Sequence, residues 1–241
     1  MNPFESSLSF KEIFTKENRK PTIVLLFGTL LLVTWRYYGS RTLFLAYFVS
    51  QIPFINSIAA MAAEWYNYLT ALVLFGALSL LVIKYIFKEP FAQYGLQLGD
   101  WKFWFPATGI VGVVMIGLGY LSSKDPHFIA EYPLYKGAGA SWQMFVLHSV
   151  GYLLFYIGWE TFFRGLMQHG LTPRFGAWGA ILVQTAISCI VHIGKPTGEI
   201  YGAILGAVVW GVLVFRSRSI IPAILTHWIL GLSLDFFICF G

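Results

Sequence analysis

Long apolar runs alternate with short polar connections along the whole of this 241-residue chain. About 20 apolar residues in helical conformation cross a bilayer's hydrocarbon core. Runs of that kind predict spans at about 22–38, 66–87, 103–122, 142–171, 175–194, 198–215 and 219–238. The pattern predicts an all-α polytopic membrane bundle of about seven to eight spans. It also predicts a single membrane domain over 1–241, with 1–90 holding the N-terminal spans and 91–241 the core. One segment departs from the pattern. TLFLAYFVSQIPFINSI, 42–58, carries Pro53 and two amides, Gln51 and Asn56, and makes a poor central span.

The chain's two ends of that first span add detail. The opening 20 residues are mostly polar and finish in the basic KENRK, Lys16 to Lys20. Phe4, Leu8, Phe10, Ile13 and Phe14 predict a weak amphipathic helix lying on the membrane surface. No small-residue cleavage site of the A-x-A kind follows the first apolar run, so that run reads as an uncleaved span.

Loop charge decides the span count. With seven spans and a cytoplasmic N-terminus, Lys11, Lys16, Arg19, Lys20, Lys84, Lys88, Lys102, Arg164, Arg174, Arg216 and Arg218 fall inside. That is eleven of the 16 Lys and Arg, against five outside. Counting 42–58 as an eighth span reverses everything after it and leaves seven inside against nine outside. The positive-inside rule therefore favours seven spans, with 42–58 re-entrant or interfacial.

Composition agrees: 57% of residues are hydrophobic and 11% charged, with a mean hydropathy of +0.69. Soluble domains carry about 25% charged residues. The net charge of +5 sits at the ends of apolar runs and does not point to nucleic acid. The two cysteines, Cys189 and Cys239, lie in apolar segments and read as packing residues. QYGLQLGDWKFW, 93–104, reads as an interfacial turn entering a span, and 122–141 as an ordered loop outside the membrane. GAILG, with Gly202 and Gly206, has the small-xxx-small spacing of closely packed membrane helices.

The candidate chemistry lies in the C-terminal half. An ionisable residue at membrane depth costs about 2.5–3.5 kcal/mol on insertion scales, so each calls for a reason. Glu160 and Arg164 are spaced i, i+4 and can pair on one helix face, which Tyr156 and Gln168 continue. His192 lies near the end of the next span, Glu199 follows in HIGKPTGE, and His227 and Asp235 lie on the last span. His148 and His169 read as structural or interfacial. Asp235, near the outer end of its span, reads as solvated. Taken singly, the pair reads as a neutral structural tie and each histidine as a satisfied core residue. Taken together they support hydrolysis, in one of two forms. A buried carboxylate acts as base on a water while imidazoles orient it and stabilise an oxyanion, or His192, His227 and a carboxylate ligate zinc as a His₂Glu set. The chain has no HExxH, no GxSxG elbow and no evident intramembrane aspartate pair.

At these residues the chain resembles the CAAX-protease and bacteriocin-processing family of intramembrane proteases, over roughly 90–238. The family's motifs are Glu-Glu with an Arg four residues after the second Glu, then Phe-x-x-x-His, then His-x-x-x-Asn or Asp. WETFFRG supplies Glu160 and Arg164, SCIVH supplies His192 and HWILG supplies His227. Trp159 stands at the first glutamate, Ser188 at the phenylalanine and Gly231 at the final Asn or Asp. A branch of the family pairs Trp-Glu with KPxxE, matched here by Lys195, Pro196 and Glu199, which makes Glu199 a reserve carboxylate.

The resemblance implies an endopeptidase in a bacterial plasma membrane, its N-terminus cytoplasmic, cutting a membrane-associated or lipidated peptide. In that role Glu160 is base or orienter of the water, Arg164 holds its carboxylate, His192 assists the water or binds metal, and His227 polarises the scissile carbonyl. Zinc on His192, His227 and Glu160 is the implied cofactor, if there is one. The competing expectation is a non-catalytic relative that binds a membrane peptide or scaffolds a complex. Helix register separates His192 and His227 in depth by roughly 10 Å, a gap that tilted or broken helices have to close.

Overall fold

A computed structural model describes residues 10–51 and 58–241. The described residues are helical and include no strand. Six helices among them are long and apolar enough to cross a membrane. The fourth, Trp142–Val191, runs for 50 residues, about 75 Å if straight and far beyond one crossing. It does not run straight. Pro173 removes a helical hydrogen bond, and Gly176 takes φ 69 and ψ 174, a conformation open essentially to glycine alone. His192 follows Trp159 by 33 positions, yet their rings lie 5.8 Å apart. The chain therefore reverses, and the seven spans are α1 (Arg19–Tyr38), α2 (Ala59–Phe87), α3 (Trp101–Ser122), α4 (142–175), α5 (177–191), α6 (Thr197–Ser217) and α7 (Ile221–Phe240).

The ends differ from the hydropathy reading by up to two turns. α2 begins at Ala59, seven residues earlier than 66, because Glu64 is buried against Arg41 at 2.9 Å and does not end the helix. In 42–58 the described part holds a seven-residue helix, Arg41–Tyr47, and a single turn, Val49–Gln51. At about 10 Å that helix cannot cross a bilayer. Residues 52–57, with Pro53 and Asn56, lie outside the described residues. So do Phe4 and Leu8 of the expected surface helix, of which Phe10–Ile13 forms one turn.

α4 is the central element. α2 lies against it so closely that a Cβ on Gly158 would sit 2.7 Å from the Ala71 carbonyl oxygen. α1 packs Val24 on Gly170, and Gly28 faces Phe162 and Met167. α6 is tied to both arms of the reversal, since Gln168 Nε2 donates to the Gly211 carbonyl and Gln184 Nε2 to that of Ala207. α3 approaches α7 as closely, since a Cβ on Gly119 would sit 2.9 Å from the Leu234 nitrogen. GAILG is not among these close approaches: Gly202 has no neighbour within 4 Å, and Gly206 meets only Trp210 of its own helix. Small-xxx-small spacing permits a helix to approach, and here none does.

The connections follow their turn chemistry. Asp100 caps α3 by accepting from Phe103 N–H, after Gly95 and Gly99 at φ 71 and 64. The loop between α3 and α4 is ordered around a short helix, Pro126–Glu131, capped by Asp125.

Candidate functional site

Between Glu160 and Gln168 the helix widens: Thr161–Met167 is π-helical. Such wide turns are uncommon and recur at functional sites. Every side chain in the widened stretch is buried. Glu160 and Arg164 are 0% and 1% exposed, and Arg164 NηH donates to Glu160 Oε1 at 3.2 Å. The same carboxylate oxygen lies 2.7 Å from His227 Nδ1 on α7. The i, i+4 pair is therefore one half of a three-residue centre.

Each member is held by its surroundings. The Arg164 guanidinium lies 5.3 Å from the Trp210 ring and 5.9 Å from that of Phe163. Trp210, on α6, stacks on His227 at 3.9 Å between centroids and 22° between planes. Its indole N–H donates to Thr226 Oγ at 2.9 Å, beside His227 in the chain, which locks the stack. Tyr156, one turn before Glu160, covers the other side of His227 at 4.3 Å. Glu160 Oε2 and Arg164 Nε are buried without a partner. Buried polar atoms are nearly always paired, so these mark a position where a ligand or water belongs.

His192 stands at the end of α5, with Nδ1 2.7 Å from the Ser188 carbonyl and its ring edge-on to Trp159. The charge of Arg164 and the ring of His227 both act on it electrostatically. The reversal at Gly176 is the junction between the spans expected at 142–171 and 175–194. A carbonyl only accepts, so Nδ1 of His192 donates and its Nε2 is left as an acceptor.

Trp159 occupies no part of this polar centre. It is 3% exposed and packs among Trp35, Phe75, Phe155 and Phe163, with centroids between 4.6 and 6.1 Å. Glu199 lies elsewhere again. Both its oxygens accept from the Tyr132 hydroxyl at 2.8 Å, while neighbouring Lys195 pairs with Glu131 at 2.5 Å. Burial, with the Glu199 carboxylate beside it, pushes the Tyr132 phenol well above its ordinary range, so it remains a neutral donor. KPxxE thus clasps the loop between α3 and α4.

A second buried polar pair corrects the reading of Asp235. It is 0% exposed, and His148 Nε2 lies 2.8 Å from its Oδ2, with Tyr68 on the other ring nitrogen at 3.3 Å. Its partner His148, on another helix and backed by Tyr68, is invisible in the local sequence. His169 reads as expected: its Nδ1 lies 2.7 Å from the Arg164 carbonyl.

Among the described residues no three His, Cys, Asp or Glu side chains are gathered to hold a metal ion. The donor set His192, His227 and Glu160 does not fit zinc as arranged. Glu160 Oε1 already accepts from a guanidinium and an imidazole, and Arg164 would stand beside the cation.

Fold and site together define a polytopic α-helical membrane protein with a carboxylate–guanidinium–imidazole centre buried among its C-terminal spans. Residues 140–233, which contain all three motifs, match the family model described as Rce1-like, type II CAAX prenyl endopeptidase Rce1-like. The match is narrower than the 90–238 suggested by the motifs. No curated protein and no solved structure matches the chain.

Proposed function

We propose that the protein is an intramembrane endopeptidase that hydrolyses a peptide bond in a membrane-associated or lipidated peptide. The observation that carries this reading is the hydrogen bond between Glu160 and His227, on helices that the Rce1-like match includes.

The tautomer follows from the partners. Arg164 and His227 Nδ1 donate to one carboxylate oxygen, so Nε2 of the neutral ring is an acceptor. His227 then serves as base, and its side chain keeps 12% of its surface exposed. Nε2 takes a proton from water as the water oxygen bonds to the peptide carbonyl carbon, and the carbonyl π pair moves onto oxygen. On collapse the C–N bond breaks and the same proton passes from His227 to the leaving nitrogen. Glu160 fixes the ring and balances the transient imidazolium, the part an aspartate plays toward histidine in hydrolytic triads. Arg164 holds Glu160. His192 Nε2 accepts the second hydrogen of the water. No metal enters these steps.

The protein in liposomes, given a fluorescence-quenched peptide with a farnesylated cysteine near its C-terminus, tests this. Cleavage is expected, with Glu160→Gln and His227→Ala each lowering kcat by about 10³-fold or more, and with 1,10-phenanthroline leaving the rate unchanged. Cleavage that survives both substitutions removes this centre from the mechanism.

A second reading has Trp159 in its favour: with no carboxylate at that position, a peptide-binding relative without activity is the alternative. It predicts that the same peptide binds, is never cut, and binds Glu160→Gln as well. The reading also places the protein in a bacterial plasma membrane with its N-terminus in the cytoplasm. Accessibility labelling of single cysteines introduced at Lys16 and Lys124 tests that orientation, with only the second labelled from outside.

A further inference from the structure

The third motif departs from its family at Gly231, one turn after His227, where an amide or carboxylate side chain is expected. The space is not empty. A Cβ on Gly231 would come 2.7 Å from the Tyr156 hydroxyl oxygen and 2.8 Å from the Tyr152 ring. The phenol of Tyr156 reaches from α4 into the volume that a side chain on α7 would occupy. Its ring lies 4.3 Å from His227, so its hydroxyl borders the same space as the imidazole. It starts one helical turn before Glu160, on the face that carries Glu160 and Arg164.

A hydroxyl has one proton to give and two lone pairs. The Tyr152 ring lies beside that of Tyr156, centroids 4.7 Å apart, and the Tyr156 hydroxyl faces the gap that Gly231 leaves. The mechanism needs such a donor. His227 spends its N–H on Glu160 and His192 its N–H on Ser188, so neither neutral ring can polarise a carbonyl.

We propose that Tyr156 is a catalytic residue of this chain: its hydroxyl donates to the scissile carbonyl oxygen and stabilises the oxyanion, standing in for the side chain that Gly231 lacks. Gly231 is the permissive half of the arrangement, since any larger residue there displaces the phenol. The inference rests on the endopeptidase reading.

Tyr156→Phe keeps the ring and its packing and removes only the donor. With the farnesylated peptide, kcat is expected to fall by about 10²–10³-fold, as for loss of one oxyanion donor, with KM and Tm little changed. A phosphinate analogue of the peptide, which presents tetrahedral oxygens, is expected to lose affinity in the same proportion, while the uncleaved parent peptide binds Glu160→Gln with or without Tyr156→Phe equally. Gly231→Ala is expected to reproduce the kcat loss through displacement of the phenol. A Tyr156→Phe protein that cleaves at the wild-type rate overturns the inference and leaves the endopeptidase reading standing. A wild-type protein that cleaves nothing ends the endopeptidase reading, and equal phosphinate affinity of wild type and Tyr156→Phe then ends this one too.

Discussion

Trp159 stands where the motif has a glutamate and is a packing residue there, edge-on to His192. Its indole is surrounded by four aromatic rings, and a glutamate restored there would lose that packing and bury an unpaired charge. Large aromatic truncations alone cost about 3–5 kcal/mol, and a desolvated carboxylate adds to this. Trp159→Glu is therefore expected to lower Tm strongly and not to raise activity, as thermal unfolding and peptide cleavage in the same detergent will show. The sequence revealed Glu160, Arg164, His192 and His227 because their spacing is local to each motif. It did not reveal what each touches. Asp235 looked solvated because His148 lies 87 residues away. Tyr156 was legible as part of the Glu160–Arg164 face but not as a neighbour of Gly231, which lies 75 residues away.

At the scale of elements, hydropathy located the spans and missed how they touch. Two glycines make the contrast. On Gly158 a new side chain meets backbone atoms of Ala71 and Leu72, which cannot give way, whereas Gly202 faces open space. Gly158→Val is expected to destabilise by about 1–3 kcal/mol as an overpacked site, read as a lower Tm in detergent. Gly202→Val should leave Tm unchanged. Gly202 has the small-xxx-small spacing, with Gly206, while Gly158 stands between Leu154 and Phe162, so the spacing alone does not tell where helices meet. The reversal at Gly176 was legible in part, as the junction between spans 142–171 and 175–194. The π-helical widening after Glu160 was not, because it depends on how the buried side chains around Arg164 pack.

Across the whole molecule, two of the polar clusters that join elements do different work. One joins Glu160, Arg164 and His227; the other ties Glu199 to Tyr132 and Lys195 to Glu131 and so holds the α3–α4 loop against the start of α6. Glu199→Gln keeps an oxygen that accepts from Tyr132. It is expected to leave kcat unchanged, while Glu160→Gln lowers it by about 10³-fold, and parallel progress curves will separate a clasp from a carboxylate that orients the base. The all-α membrane architecture was legible because a bilayer sets helix length and excludes charge. The division of labour between the two glutamates was not, since each is a lone acid in its motif and its partner lies far along the chain.

The placement of His227 and Asp235 on one helix has a consequence for biosynthesis. Both complete polar pairs whose other halves, Glu160 and His148, lie on α4. While the chain is being made, α4 enters the bilayer well before α7 leaves the ribosome. In that interval Glu160 and His148 lack the partners that α7 brings. Docking of α7 on α4 supplies both at once, so neither polar pair is complete until these two helices meet.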